Sequence, residues 1–120
     1  MDELLRNTPW SETFSDKSFC GIFNEDSVWD DEQYSALEDA IYALGNSLRD
    51  ENQLPRDVAW PVMHLFSFLL RAMGCSLDPN DGFVIRDLTT EQICDRMERL
   101  QQVFEGFFNE EMPERESLGY

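Results

Sequence analysis

Apolar residues recur every three or four positions in three stretches of the chain, which is the spacing of one face of an α-helix. Before the first stretch, Asp30 is suited to cap a helix and Gln33 stands at the capping-box position. The apolar stripe of this helix consists of Tyr34, Leu37, Ile41, Leu44 and Leu48. Gly45 weakens a helix by about 1 kcal/mol relative to alanine, so we expect the helix to end between Gly45 and Arg49.

The second predicted helix, over 57–73, is apolar on nearly all sides, as is typical of a helix at the centre of a fold. Its narrow polar strip consists of His64, Ser67 and Arg71. Pro61 fits such a helix only in the first turn, where a missing N–H costs nothing. Gly74 is the expected C-terminal stop.

The third predicted helix begins at Thr89, which forms a capping box with Gln92, and it continues to about residue 109. Its buried stripe is expected to consist of Ile93, Met97, Leu100, Phe104 and Phe107. Asp95 and Arg99 stand four residues apart and predict an exposed ion pair on this helix. The sequence beyond this helix has no periodicity, so residues 110–120 are expected to be a frayed tail.

Two short segments are strand candidates. Residues 18–23 are rich in aromatic and β-branched side chains, and residues 83–86 follow a turn signal at 78–82 in which Gly82 is expected at positive φ. The two segments could pair as a small ribbon if it packs on helices. The predicted fold is therefore mainly α: a single acidic helical domain over 1–109, with a three-helix core and short flanking strands or loops.

Charge changes this picture. The chain of 120 residues has 25 Asp and Glu against 9 Lys and Arg, a formal net charge of −16, and this excess lies mainly in the first and last thirds. With 42% hydrophobic residues the chain still has material for a core, so disorder is not the expectation. A field of one sign opposes folding by self-repulsion, and we interpret it as a means of attracting a basic protein.

The same charge argues against several other partners. Direct nucleic-acid binding requires clustered Lys and Arg, and an anionic membrane surface would repel this chain. No run of about 18 apolar residues predicts a membrane span. The first residues carry acids where a signal peptide needs positive charge, which predicts a cytoplasmic protein.

Residue types that carry catalysis are sparse. Cys20, Cys75 and Cys94 are widely spaced and odd in number, so we expect buried, reduced thiols. His64 is the only histidine and is expected to be structural. Phosphate-binding glycine loops and the common hydrolase motifs are absent. The sequence therefore predicts neither an enzyme nor a cofactor.

Residues 78–82 invite comparison with a calcium-binding loop. An EF-hand requires glycine at position six and glutamate at position twelve, where this chain has Phe83 and Thr89. A tight turn explains the same residues, so no metal site is predicted.

Carboxylates and aromatic residues alternate before the first predicted helix. Trp29 can be interpreted as a packing residue at the start of the helix, or as an aromatic anchor ringed by charge and suited to a basic protein surface. Trp10 stands in a similar mixture upstream. The candidate partner-binding residues are Trp10, Glu12, Glu25, Asp26, Trp29, Asp30, Asp31 and Glu32.

The first 45 residues also carry a family resemblance. It runs through Asn7-Thr8-Pro9-Trp10, Ser18-Phe19-Cys20-Gly21-Ile22-Phe23 and Ser27-Val28-Trp29-Asp30. In these stretches the chain resembles immunity proteins of bacterial polymorphic or contact-dependent growth inhibition toxin systems. The resemblance implies a small cytoplasmic protein that binds and neutralises one cognate toxin, often a basic nuclease.

Two functions follow from charge and resemblance together. In the first, the chain binds a cognate basic toxin and occludes its active or substrate-binding surface. In the second, it is a nucleic-acid mimic that inhibits a DNA- or RNA-binding protein. A mimic would distribute its charge evenly, whereas here it is clustered at residues 25–32 and 110–116, which mildly favours the first.

Overall fold

A computed structural model of the chain describes residues 1–118, and within them the fold is all-α. The mainly α class predicted from the sequence is confirmed. Of the short flanking strands or loops expected beside a three-helix core, the strands are wrong, because residues 1–118 contain no strand. There are five α-helices and one short 3₁₀ turn: α1 Asp2–Arg6, α2 Phe19–Asp26, α3 Asp31–Ser47, α4 Arg56–Leu77, α5 Thr90–Phe108 and the turn Arg115–Ser117.

The predicted starts of α3 and α5 are confirmed by their caps. The Asp30 carboxylate accepts a hydrogen bond from the Gln33 N–H at 3.0 Å, although the Gln33 side chain accepts from Arg6 at 3.0 Å rather than closing a capping box. At α5 both halves of the box form, since Thr89 and Gln92 each accept from the other's backbone N–H. Local capping chemistry therefore sets both boundaries.

The strand predicted at 18–23 is wrong. Ser18 is a helix cap whose hydroxyl accepts from the Gly21 N–H at 3.1 Å, and the chain from there forms α2. Phe19, Cys20 and Phe23 are all buried. Phe23 follows Cys20 by three residues and Phe19 by four, which places all three on one side of a helix and favours α2 over an alternating strand.

The second predicted strand, at 83–86, is irregular, so no ribbon forms. The Ile85 N–H donates to the Ser76 hydroxyl at 3.0 Å, and the Arg86 N–H donates to the carbonyl of Ser27 at 2.9 Å. These partners satisfy the backbone without a ladder. The turn at 78–82 is present, with the Asp81 N–H donating to the Asp78 carbonyl, but among the described residues no glycine has positive φ.

Helix α4 is longer than predicted. It begins one residue earlier and runs four residues beyond its expected end, so Gly74 does not stop it. Pro61 lies in the second turn rather than the first and is buried. The helix contacts both α1 and α5, and α3 contacts α1, α2 and α5. The buried faces of α3, α4 and α5 thus share one core with the short N-terminal helices.

Residues 110–118, the described part of the segment expected to be frayed, pack against the helices, and residues 119–120 of that segment lie outside the described residues. Met112 lies against Gly45 of α3, where an added Cβ would approach its sulfur to 2.9 Å. Pro113 covers Gly106 of α5 in the same manner, and its carbonyl accepts from the Tyr42 hydroxyl at 2.7 Å. Two helix glycines therefore make the groove that holds this segment.

Among the described residues, α4 is the one helix whose length and apolar composition would suffice to cross a membrane. A core helix of a soluble protein has the same properties, and α4 packs against α1 and α5 here. The expectation that no segment spans a bilayer stays a prediction.

Candidate functional site

Three aromatic rings form an exposed patch where the loop after α1 meets α4. The Trp10 and Trp60 rings stack with centroids 5.2 Å apart and planes at 15°. His64 lies one turn further along α4 and places its ring edgewise to Trp10, with centroids 4.9 Å apart. The two tryptophans remain 49% and 53% exposed. We call Trp10, Trp60 and His64 the aromatic patch.

A pocket of about 450 Å³ opens beside this patch. Trp10 and His64 form part of its wall, together with Pro9, Phe14, Leu65 and Phe68. Met63, the neighbour of His64 on α4, is also exposed. A contiguous apolar surface of this kind is typical of a protein-binding site.

Buried polar groups hold the loop that presents Trp10. Asn7 is buried, and its side chain donates to the carbonyl of Glu3 and accepts from the N–H of Cys20, both at 2.9 Å. The hydrogen bond from the Cys20 N–H to Asn7 joins two of the stretches that carry the family resemblance. Gly21 of α2 lies against the same loop, since a Cβ there would come 2.5 Å from the Ser15 carbonyl oxygen. The loop is therefore fixed to α2 by contacts that leave no space for a side chain.

The structure places the candidate partner-binding residues in three kinds of environment. Trp10 and Glu12 lie in the exposed part of the loop after α1. The other exposed candidates lie at the end of α2 or in the first turn of α3: Glu25, Asp26, Asp31 and Glu32. Asp30 caps α3, and Trp29 is buried. Their role in binding a partner stays a prediction.

Trp29 packs as a core residue rather than an anchor. It is 3% exposed, and the rings of Phe19 and Tyr34 lie 4.8 and 5.1 Å from its own. The guanidinium of Arg96 stands 5.7 Å over it, and the indole N–H is buried without a hydrogen-bond partner among the described residues. This packing favours the first of the two interpretations offered for Trp29.

Glu38 on α3 is the centre of a buried ion cluster. It is 2% exposed. Arg99 donates to its carboxylate through Nε and Nη2 at 2.9 and 2.8 Å, and Arg115 through Nη2 at 2.8 Å. Tyr34 donates its hydroxyl at 3.0 Å. The ion pair predicted between Asp95 and Arg99 was thus assigned to the wrong acid, because Arg99 turns inward to join α5 to α3.

Burial alone would raise the pKa of Glu38, but hydrogen bonds from Arg99 and Arg115 outweigh it and hold this pKa below its ordinary value of 4.5. A carboxylate whose pKa is depressed by folding contributes stability above its unfolded pKa, and loses it as the pH falls through the folded value. We therefore expect Glu38→Gln to destabilise the protein most near neutral pH. The difference in unfolding free energy from the wild type should shrink below about pH 4.5. Urea titrations from about pH 7 to pH 3 measure it, and a constant difference would contradict the assignment.

A family model for immunity protein 41 matches residues 6–116, nearly the whole chain. The chain belongs to this family. Immunity protein 41 is part of polymorphic toxin systems, so the family resemblance seen in the sequence is confirmed. The family is non-catalytic and neutralises a cognate toxin, which confirms that the chain is not an enzyme. No curated protein and no solved structure matches the chain.

For the aromatic patch of this immunity protein 41 family member, the sequence predicts a partner-binding role for Trp10 and a structural role for His64. It assigns no role to Trp60. One signal was available: Trp60 precedes Met63 by three residues and His64 by four, and Ser67 follows His64 by three, so a large aromatic residue shares the polar strip of α4. Within the described residues, no three His, Cys, Asp or Glu side chains are placed to hold a metal ion.

Proposed function

We propose that this immunity protein neutralises a basic, nuclease-type toxin by covering the surface that would otherwise bind nucleic acid. The observation that supports it is the separation of charge in the fold. Of the 25 carboxylates, all are exposed except Glu3, Asp30 and Glu38. A net charge of −16 is therefore displayed almost entirely to solvent.

Several of the basic residues form ion pairs with acids of the same chain. The Arg6 guanidinium pairs with Glu3 at 3.1 Å, and Arg96 approaches Asp31 at 3.4 Å. Arg99 and Arg115 pair with Glu38, and Arg115 also pairs with Asp39. Four of the nine basic residues thus neutralise acids of this chain, and the field left at the surface is strongly negative.

Occlusion follows from complementary charge. A nuclease binds phosphates with clustered Lys and Arg, and exposed carboxylates can occupy those groups. Glu12, Glu25, Asp26, Asp31 and Glu32 are the proposed contacts, and Asp30 contributes by capping the helix that presents two of them. Steering by opposite charges raises the association rate to about 10⁸–10⁹ M⁻¹s⁻¹ at low salt.

We place this activity in the cytoplasm, where a nuclease toxin delivered by contact between cells would reach nucleic acid. Family membership supports one cognate toxin over the many partners of a nucleic-acid mimic. Binding by surface acids needs no metal or cofactor.

Charge reversal tests the proposal. We expect Glu25→Lys, Asp26→Lys and Glu32→Lys together to lower the association rate for the cognate toxin domain by about 10-fold or more at low salt. Two of the substitutions lie in the last turn of α2, where the helix dipole favours positive charge, so the fold is expected to persist. The probe is a catalytically inactive form of the cognate toxin domain, and stopped-flow fluorescence measures its association with this protein.

The matched control reverses three other exposed acids, with Glu98→Lys, Glu105→Lys and Glu110→Lys. It changes net charge equally but acts on α5 and the segment after it, so a smaller loss of rate is expected. An association rate that is insensitive to salt and to the first triple variant would contradict steering by these acids.

Addition of the wild type to the active toxin domain should stop cleavage of RNA or DNA. Persistent cleavage, or a toxin domain without nuclease activity, would overturn the proposed target.

A further inference from the structure

The aromatic patch leaves much of its surface exposed, although its three rings pack against one another. Trp10 and Trp60 each leave about half of their surface in water. Both come from rigid positions, one from the loop fixed by Asn7 and the other from α4. Exposed, preorganised tryptophans that meet beside a pocket are typical of the residues that dominate binding energy in protein interfaces.

The chemistry of the pocket identifies the group that would enter it. Its lining is aliphatic or aromatic apart from Asn7, Asn24, the Cys20 thiol and His64, and includes no carboxylate. A cationic side chain buried there would lose its water without gaining an opposite charge. A bulky apolar side chain would instead bury apolar surface against Phe14, Leu65 and Phe68.

Exposed carboxylates flank the lining residues along the chain, and none of them lines the pocket. Glu12 lies between Trp10 and Phe14 along the loop, and Glu25 follows Asn24 on α2. Asp57 lies one turn before Trp60 on α4, where residues three apart are neighbours. All three are exposed. The surface therefore has an apolar centre with an acidic rim, and its complement is an apolar side chain surrounded by Lys and Arg.

We propose that the aromatic patch and its pocket form the anchor site of the toxin complex, and that they receive a bulky apolar side chain from a basic surface of the cognate toxin. This inference depends on the proposed function and adds the contact that holds the complex together. The acids govern how fast the partners meet, whereas the desolvated contact at the patch governs how slowly they separate.

Separate rate constants test this division. We expect Trp10→Ala and Trp60→Ala each to weaken binding of the inactive cognate toxin domain by about 30-fold, which is the threshold of about 2 kcal/mol for a dominant interface residue. The loss should lie in the dissociation rate, with the association rate changed by less than about 3-fold. Because both side chains are exposed, the variants should fold, and circular dichroism checks this.

Val84→Ala is the matched control, since Val84 is 57% exposed and apolar but belongs to the loop before α5. It should leave both rate constants unchanged. Suppose that the wild type binds tightly but the tryptophan variants dissociate no faster than the control. That result would overturn this inference and leave the proposed function intact. A wild type that does not bind the toxin domain would overturn both.

Tryptophan fluorescence gives an independent measurement. Acrylamide should quench the free protein through Trp10 and Trp60, because Trp29 is buried, and quenching should fall when an inactive toxin domain without tryptophan is bound. Unchanged quenching in the complex would contradict the anchor site.

Light scattering tests whether a second copy of the chain occupies the site instead. A dimer that dissociates on Trp60→Asp would overturn the assignment to the toxin, and a monomer would support it.

Discussion

Glu38→Ala is expected to lower the free energy of unfolding by about 3 kcal/mol, because it leaves two arginines near the core without their shared acceptor. Arg99 is 13% exposed at its side chain and loses both of its hydrogen bonds to Glu38. Arg115 is more exposed and keeps Asp39, so the loss is placed at the low end of the range for a broken buried ion pair. Urea denaturation followed by circular dichroism measures the change.

Glu98→Ala is the control, since Glu98 is an exposed acid on α5, and a change within about 0.5 kcal/mol is expected. Glu38→Gln should fall between the two, because an amide retains one acceptor oxygen. If Glu38→Ala were no more destabilising than Glu98→Ala, the cluster would not join α3 and α5 as described.

Gly21→Ala is expected to destabilise the protein by about 3 kcal/mol, the upper part of the usual range for overpacking. The new Cβ would lie 2.5 Å from the Ser15 oxygen and 2.6 Å from backbone atoms of Asp16. These atoms cannot rotate away, since the Ser15 N–H is held by the Arg6 carbonyl at 3.0 Å. The same loop presents Trp10, so weaker toxin binding should accompany the loss of stability.

Gly74→Ala is the opposite case within the same fold. Gly74 lies inside α4, and apart from its chain neighbours and the backbone of α4 no atom lies within 4 Å of the position that a Cβ would take. Alanine should therefore stabilise the protein by about 1 kcal/mol through helix propensity alone. Thermal unfolding of the two variants compares them directly, and equal melting temperatures would contradict the close approach at Gly21.

The elements that could be predicted from sequence are those with local signals. α3 and α5 were located because Asp30 and Thr89 cap them and apolar stripes follow. α2 was not predicted, because residues 18–23 are as apolar and aromatic as a buried strand. In the structure, the capping bond at Ser18 and the burial of one helical face favour the helix. Composition could not settle that choice, since a short apolar run fits either structure.

Two further features depend on contacts distant in sequence. Residues 110–118 have no periodicity, but they lie in a groove that exists because Gly45 and Gly106 have no side chains. Gly45 was interpreted only as a helix-weakening residue. The aromatic patch joins Trp10 and Trp60, fifty positions apart, so its members could be identified as aromatic from sequence but not brought together.

The ion cluster also sets an order of events during protein synthesis. Arg99 follows Glu38 by 61 residues and Arg115 follows it by 77. At about 5–20 residues per second, a nascent chain exposes this acid for roughly 4–15 s before its last partner is made. A charged carboxylate without a cationic partner favours water over burial, so stable docking of α3 is not expected before Arg99 and Arg115 have been made. The segment after α5 is therefore expected to complete the packing of a helix that was made much earlier.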